Sequence, residues 1–188
     1  MNKNCLICGV GGQGIVLASR IIAACAMSKG YMAKTAETIG MAQQGGCVVS
    51  HVKFGKEIYS PLVKHSGADV LMAFEPAEAV RCLPYLKDGG TVIVSNKVVL
   101  PTTATLSGKE YSSDDMIDVL KQKCKNVIVV DTDTKCKTLG SNKVLNVVML
   151  GALAKSGCLE FTIDEFKDTI IKTVPKKFHE LNLKAIEM

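Results

Sequence analysis

Residues 5–15 read Cys5-Leu6-Ile7-Cys8-Gly9-Val10-Gly11-Gly12-Gln13-Gly14-Ile15 and set the architecture of the chain. The apolar residues before Gly9 predict a strand over residues 3–9, and those after Gln13 predict a helix over residues 13–29. Glycines between a strand and a helix let the backbone approach a pyrophosphate, while the helix N-terminus offers free N–H groups to the anion. The unit is therefore predicted to be Rossmann-like, with a tight turn that binds nothing as the alternative.

A second glycine-bearing segment, Gly40-Met41-Ala42-Gln43-Gln44-Gly45-Gly46, follows a strand predicted over residues 31–37. It has two interpretations: a flexible loop with surface glutamines, or a second ligand-binding loop in which the amides of Gln43 and Gln44 are donors. An ordinary dinucleotide-binding domain lacks such a segment. Glu37, the nearest carboxylate for a ribose, also comes later than the usual spacing of about 20 residues. NAD is therefore not the favoured ligand.

The rest of the chain alternates strand and helix patterns. Strands are predicted over residues 47–54, 57–63, 68–74, 91–95 and 127–131, and helices over residues 76–83, 112–123, 142–155, from 162 and from 175. Gly55-Lys56 predicts a hairpin turn, and residues 87–90 predict another turn. Residues 1–188 are expected to form a single-domain, three-layer α/β/α fold around an open, twisted, mostly parallel (mixed) sheet. Both glycine segments follow strand ends and are expected to face one crevice.

Composition narrows the class of protein. The chain has 188 residues and is 47% hydrophobic, which is enough for a substantial core. No apolar stretch approaches the ~20 residues that a bilayer span needs, and no cleavable leader is evident, so a cytoplasmic location is expected. The net charge of +5 comes mainly from lysine, since Arg20 and Arg81 are the only arginines and tryptophan is absent. Nucleic-acid binding is therefore not expected.

The residue chemistry indicates neither a catalytic pair nor a metal site. Cys5 and Cys8 form a CxxC, but positions three apart on a strand face opposite sides, and no second pair completes a zinc or iron–sulfur set. His51 lies mid-strand and is expected to pack rather than act as a base. Asp131 is expected to cap a helix rather than bind magnesium. Asn146, on the most apolar helix, is expected either to brace the core or to line a cleft.

Several motifs together resemble a known family. In order along the chain they are Gly9 to Ile15, Thr38 to Gly46, Val49 to Val52, Glu75 to Ala79 and Asn146 to Ala154. This set resembles the gamma subunit or domain of the 2-oxoacid:ferredoxin oxidoreductases over nearly the whole chain, and the small subunit of the indolepyruvate enzymes is the most similar branch. An ordered set of motifs is far more specific than a lone GxGxxG.

The resemblance implies a subunit that is inactive alone and has no catalytic residue of its own. In that family a large alpha subunit, with thiamine diphosphate and 4Fe-4S clusters, decarboxylates a 2-oxoacid and passes electrons to ferredoxin, while coenzyme A accepts the acyl group. The gamma-type subunit builds the coenzyme A side of the active site. By resemblance, the phosphates are gripped by Gly11, Gly12, Gln13, Gly14 and Ile15, and further candidates for the same cleft are Gln43, Gln44, Gly45, Gly46, Ser95, Asn96 and Asn146.

Two positions depart from the family pattern. Gln44 stands where an arginine is frequent, and Ile39 stands where a histidine is common. Losing the arginine removes a charge-assisted contact to a phosphate or a carboxylate. The departure therefore bears on coenzyme A affinity and on the identity of the substrate.

Two other classes of function stay open at this point. One is a self-sufficient NAD(P)- or flavin-dependent oxidoreductase with Glu37 on a ribose, and the other is a non-enzymatic nucleotide-sensing or assembly module. The 2-oxoacid is an aryl pyruvate such as indolepyruvate by resemblance alone. An exposed partner-binding surface would also allow homodimers of the isolated chain.

Overall fold

The computed structural model describes residues 2–39, 45–99 and 111–188. A six-stranded sheet in the order β2-β3-β1-β4-β5-β6 forms its centre. β3 runs antiparallel to β1 and β2, whereas β1, β4, β5 and β6 pair in parallel. The mixed, mostly parallel sheet expected from the sequence is confirmed. The strands are β1 (Lys3–Val10), β2 (Met32–Ile39), β3 (Cys47–Gly55), β4 (Ala68–Ala73), β5 (Leu86–Ser95) and β6 (Asn126–Val130).

Helices cover both faces of this sheet. They are α1 (Ile15–Ser28), α2 (Pro76–Cys82), α3 (Ser113–Lys123), α4 (Thr132–Thr138), α5 (Leu145–Ser156), α6 (Ile163–Thr173) and α7 (His179–Glu187). Cys5 and Ile7 of β1 pack in a core cluster with α1, α5, α6 and α7, while Leu6 and Cys8 pack in a second cluster with α2 and α3. Cys5 and Cys8 thus lie on opposite faces, as predicted. The capping box that opens α6 is also confirmed, at Thr162 and Glu165.

Three sequence-based expectations about the sheet are wrong. Residues 57–63 form no strand, so the predicted hairpin is absent; the antiparallel pairing comes from β3 instead. Residues 87–90 do not interrupt the sheet, because β5 runs from Leu86 to Ser95 with a register irregularity opposite Ala68 and Val70. The strand expected to be buried at residues 127–131 is β6, an edge strand whose Ile128 and Val129 are exposed.

The connections after β1, β4 and β5 all leave from the carboxyl edge of the parallel strands. These are the first glycine turn, the segment from Phe74 to Glu75, and the segment from Ser95 to Asn96. Ligands of open α/β sheets bind at this edge. A ligand-binding site is therefore expected at this edge.

Among the described residues, no helix combines the length and the apolar character that a membrane span requires. The longest of them, α1, has 14 residues. The cytoplasmic location expected from the sequence stays a prediction.

Candidate functional site

The two glycine segments lie against each other at the carboxyl edge of the sheet. The amide of Gly11 donates a hydrogen bond to the carbonyl of Gly46 at 2.7 Å, and the amide of Gly45 donates to the carbonyl of Gly11 at 3.4 Å. This contact follows from the topology, because β3 starts at Cys47 and pairs with β1 up to Val10. The described parts of the two segments are therefore adjacent, and the expectation that both face one crevice stays a prediction.

The first turn leaves backbone donors and open space at the N-terminus of α1. Gly12 has a φ of +102°, and a Cβ at this position would meet no described atom within 4 Å. Gly14 precedes the helix with a φ of +82°. The first amides of a helix have no intrahelical acceptor, and the first turn of α1 carries no acidic residue that would repel an anion. The turn is thus suited to bind a phosphate through its backbone.

The side chain of Gln13 points back into the protein. Its Oε1 accepts a hydrogen bond from the amide of Val10 at 2.7 Å, and its Nε2 donates to the carbonyl of Phe74 at 2.9 Å. The amide group therefore ties the end of β1 to the end of β4. Among the candidate residues, Gln13 stabilises the conformation of the turn, and its side chain points away from the expected ligand site.

Asn146 lies directly behind the turn. It is 3% exposed, and its Nδ2 lies 3.5 Å from the carbonyl oxygen of Gly14, to which it donates. A Cβ at Gly14 would come within 2.9 Å of that nitrogen, so the contact requires glycine. Of the two roles expected for Asn146, the geometry matches the brace: the residue fixes the start of α1 against α5.

The other candidate residues differ in what the structure says of them. Gln43 and Gln44 lie outside the described residues, as does the side chain of Ile39. Ser95 is buried and shares a hydrogen bond of 2.6 Å with the hydroxyl of Thr132. Asn96 is partly exposed; it donates to Asp131 at 3.0 Å and accepts from the amide of Thr132 at 3.2 Å. Ser95 and Asn96 thus join β5 to the start of α4.

A group of buried polar residues beside the second glycine segment was not predicted as part of the site. Glu75, the N-cap of α2, and Glu78, in the first turn of that helix, are buried. Glu78 accepts hydrogen bonds from the thiol of Cys47 at 3.0 Å and from the Nε of Arg81 at 3.0 Å. Glu75 accepts from the hydroxyl of Tyr111. Burial raises the pKa of the Glu75 carboxyl above its ordinary value.

These carboxylates hold two neighbouring stretches of chain in place. Glu78 anchors Cys47, the residue that follows the second glycine segment, and Glu75 anchors Tyr111, which follows residue 110. Burial, followed by the nearby Glu78, raises the pKa of the Cys47 thiol to about 11, so this thiol is protonated at neutral pH. In the sequence, Glu75-Pro76 followed by Glu78 three residues later is a typical helix start. Because the helix start alone explains both glutamates, their contacts with Cys47 and Tyr111 were not predicted.

Two further titratable residues near the sheet, His51 and Asp131, are hydrogen-bonded within the protein. His51 is buried in β3, its Nδ1 accepts from the amide of Val63 at 3.1 Å, and the packing role predicted for it is confirmed. Asp131 caps α4, as predicted, by accepting from the amide of Thr134 at 3.1 Å. Among the described residues, no three of His, Cys, Asp or Glu are grouped as metal ligands.

The position of Glu37 does not favour a dinucleotide. In a Rossmann domain the strand that carries the ribose-binding acid lies next to the first strand. Here β3 separates β2 from β1, and the Glu37 carboxylate accepts a hydrogen bond from Ser19 at 3.3 Å. The glycine turn is suited to an anionic ligand. The Cys47 thiol lies against the Glu78 carboxylate, but its raised pKa keeps it protonated and not activated as a nucleophile.

Comparison with known proteins agrees with this arrangement. The chain is 38% identical to the indolepyruvate oxidoreductase subunit IorB of Archaeoglobus fulgidus over all of its own length and 94% of that protein. Its fold is similar to the gamma subunit of a keto/oxoacid ferredoxin oxidoreductase from Geobacter sulfurreducens, with a TM-score of 0.70, 24% identity, and 99% and 95% of the two chains covered.

A third similarity is to part of a larger protein. The 2-oxoglutarate:ferredoxin oxidoreductase of Magnetococcus marinus, solved with 2-oxoglutarate, coenzyme A and succinyl-CoA bound, matches with a TM-score of 0.66 and 19% identity over 99% of this chain and 30% of that one. At this identity the likeness shows the fold alone. The family model described as pyruvate ferredoxin/flavodoxin oxidoreductase matches residues 4–188. The chain therefore belongs to the pyruvate ferredoxin/flavodoxin oxidoreductase family.

Proposed function

We propose that this chain supplies the coenzyme A side of the active site in a 2-oxoacid:ferredoxin oxidoreductase that acts on indolepyruvate or a related aryl pyruvate. The chain carries neither thiamine diphosphate nor iron–sulfur clusters, which belong to a large alpha-type partner in the cytoplasm. The partner decarboxylates the 2-oxoacid and sends the electrons to ferredoxin. This subunit binds and orients coenzyme A, whose thiol accepts the acyl group.

The observation that carries the proposal is the contact between the two glycine segments in front of α1. Gly11 is hydrogen-bonded to both Gly45 and Gly46, so the two segments together border the space in front of Gly12. A helix N-terminus with free amides and no acidic residue favours a phosphate. Coenzyme A carries three phosphate groups and a thiol. A subunit that only binds and orients coenzyme A needs to recognise the phosphate groups and does not need to react with the thiol.

The relatives support the same reading at a coarser level. The relative from A. fulgidus is named for indolepyruvate and is called a subunit. The similar part of the M. marinus protein belongs to an enzyme solved with coenzyme A bound. Neither name assigns a residue in this chain. The roles of individual residues therefore rest on the geometry of this chain.

We assign two kinds of role to the candidate residues. The backbone amides of Gly12, Gly14 and Ile15 contact the phosphates. The Gly11 amide, which donates to the Gly46 carbonyl, holds Gly45 and Gly46 on the opposite border. Gln13 and Asn146 hold the turn from behind, since both side chains are bonded within the protein. Ser95 and Asn96 hold the neighbouring strand end in the same way. Gln43 and Gln44 stay candidates from the sequence alone.

The test uses the complex of this chain with its large thiamine diphosphate subunit. Gly12→Ala adds a methyl group in front of the turn and strains a residue with φ of +102°, at a cost of about 1–3 kcal/mol. We expect kcat/KM for coenzyme A to fall at least tenfold, because the methyl group occupies the space of a phosphate and disturbs its donors. Turnover with pantetheine, which has the thiol without the nucleotide phosphates, should change much less.

Gly30→Ala is the matched control. Gly30 ends the same helix, has a φ of +80°, and a Cβ there would also meet no described atom within 4 Å. Both variants should lose similar thermal stability, and only Gly12→Ala should lose the preference for coenzyme A. Equal effects of Gly12→Ala on coenzyme A and pantetheine would mean that the turn is structural only. Tight binding of NAD to the isolated chain in calorimetry would also contradict the proposal.

A further inference from the structure

The sheet ends at β6 in an apolar, open edge. Within the described residues β6 pairs only with β5, so the backbone N–H and C=O groups on its outer side have no strand partner. Ile128 is 36% exposed and Val129 is 40% exposed. Natural proteins usually protect such edges with charges, prolines or covering elements, because an open edge pairs with other chains.

The other end of the sheet shows how this chain protects an edge that stays free. The sequence of β2 is Met-Ala-Lys-Thr-Ala-Glu-Thr-Ile, in which Lys34 and Glu37 bring charges to the edge. β6 reads Asn-Val-Ile-Val-Val and has no charged residue. One edge of the same sheet is thus protected and the other is not. The contrast indicates that β6 is covered in the working protein.

A groove of about 420 Å³ runs beside the open edge. Its lining includes the apolar residues Ile128 and Val130 of β6 and Ala152 of α5, together with Lys135 and Lys155. The groove therefore combines an apolar strand edge with two basic side chains. These are the properties of a surface that receives an extended segment with both apolar and acidic side chains.

The two lysines both bond to main-chain oxygen atoms of the last two described residues. Lys135 donates to the backbone carbonyl of Met188 at 2.7 Å, and Lys155 donates to that of Glu187 at 2.7 Å. Neither forms an ion pair with a described Asp or Glu side chain. The Asp131 carboxylate, also on the groove, is occupied in capping α4. Burial, and next the positive charge of Lys155, lowers the pKa of Lys135, which means that the two cations repel each other.

We propose that β6 is the docking strand for the large partner subunit. An extended segment of that subunit adds a seventh strand to the sheet, places an apolar side chain on Ile128 and Val130, and places a carboxylate between Lys135 and Lys155. The identity of the partner rests on the proposed function, whereas the surface itself rests on the exposure of β6. A carboxylate there reduces the repulsion between the two lysine charges.

A second copy of this chain fits the edge less well. Two copies paired through β6 about a twofold axis would bring a second pair of the same lysines onto the same face of the extended sheet. The two pairs of lysines would add to each other's positive charge, and like charges that face each other oppose association. An acidic segment of a different chain removes this cost.

The first experiment compares hydrogen exchange in the isolated chain and in the complex with the large subunit. We expect amides of residues 126–130 to exchange at least tenfold more slowly in the complex, because their outer N–H groups gain strand partners. Amides of β2, at the opposite edge, serve as the internal reference and should change little. Unchanged exchange at residues 126–130 would overturn the proposal.

The second experiment measures the affinity of the large subunit for three variants. Ile128→Lys introduces a charge into the docking strand and should weaken binding at least tenfold. Met32→Lys is the matched control, since Met32 is a 50% exposed apolar residue on the β2 edge. Lys155→Glu, at an exposed position that does not threaten folding, should also weaken binding and should make it less sensitive to salt.

The outcomes separate the two proposals. If the wild-type chain and the large subunit do not associate, both the proposed function and the docking strand are wrong. If they associate and Ile128→Lys binds as tightly as the Met32→Lys control, only the docking strand is wrong. If the isolated chain dimerises in sedimentation, and Ile128→Lys abolishes the dimer but not the complex, a second copy covers β6 and the proposal is likewise overturned.

Discussion

His51 shows how a single side chain ties stability to pH. The residue is buried in β3, and its ring packs edge-on against Tyr85 at 5.9 Å between centroids. Its Nδ1 must stay unprotonated to accept the hydrogen bond from Val63. Burial lowers the pKa of His51, so the unfolded chain takes up a proton more readily than the folded chain.

The sign of the pH effect follows directly. Because the folded pKa lies below the unfolded value of about 6.5, stability is complete above that value and falls as pH decreases through it. We expect urea unfolding to show this loss between pH 7.5 and 5.5. His51→Gln, whose amide oxygen can still accept from Val63, should flatten the dependence. If both proteins lose the same free energy of unfolding, other groups cause the effect.

The sequence predicts the backbone of the candidate site better than its side chains. The positions of Gly12 and Gly14 follow from the strand–turn–helix pattern, because only glycine suits such a turn. The inward direction of the Gln13 side chain cannot be predicted from this pattern, since its amide could hydrogen-bond equally well to a ligand or to the two strand ends. The role of Glu75 and Glu78 beside the crevice is also hidden, because their spacing is explained by the helix start alone.

Among the elements, the junction between α1 and α5 supports the turn. Asn146→Ala removes the hydrogen bond to Gly14 and leaves a partly buried carbonyl with one partner fewer. We expect a loss of about 1–3 kcal/mol in the free energy of unfolding and a higher KM for coenzyme A, since the turn loses its support. Denaturant unfolding of the chain and steady-state kinetics of the complex measure the two effects.

Asn182→Ala is a control for this junction. Asn182 is also buried, and its Nδ2 donates to the carbonyl of Phe178 at 2.7 Å within the last helical segment. Its loss should cost similar stability without changing the KM for coenzyme A. A raised KM in both variants would show that general loosening, and not the Gly14 contact, affects binding.

The errors in the sequence-based strand predictions have one physical cause in common. Residues 57–63 have a strand-like pattern, but β3 already pairs with β1 on one side and β2 on the other, so no free edge remains beside it. In β6 the apolar run indicates a strand correctly but does not tell an edge from the centre. Strand order is a property of distant pairings, and a local pattern cannot encode it. Helices α1, α3 and α6 were predicted well because their periodicity and caps are local.

For the whole molecule, the proposal predicts the absence of bound metal. All eight cysteines are free, and no described group of three or more His, Cys, Asp or Glu residues is suited to a metal. We expect the isolated chain to be colourless, to contain less than a tenth of an equivalent of iron or zinc, and to keep its melting temperature after treatment with a chelator. Stoichiometric metal, with a lower melting temperature after chelation, would place a cluster or zinc site in this subunit.

The expectation that residues 1–188 form a single domain stays a prediction, as do the roles of Gln43 and Gln44. The fold class and the family membership are established. The place of coenzyme A and the partner at β6 are proposals about the assembled enzyme. They concern different parts of the sheet, since the glycine turn follows β1 in the middle and β6 forms one edge. Each can therefore be tested without disturbing the other.

The insertion of β3 between β1 and β2 also affects the order in which the chain folds. β1 and β2 do not pair, so β1, α1 and β2 cannot form a sheet by themselves when they are synthesised. They must wait until β3, at Cys47–Gly55, has been synthesised and pairs with both. Such non-local pairing slows folding, because loops must close before any contact compensates their entropy. The pairing that completes this part of the sheet also joins Gly11 to Gly46, so a nascent chain acquires its candidate ligand site and its N-terminal sheet in one step.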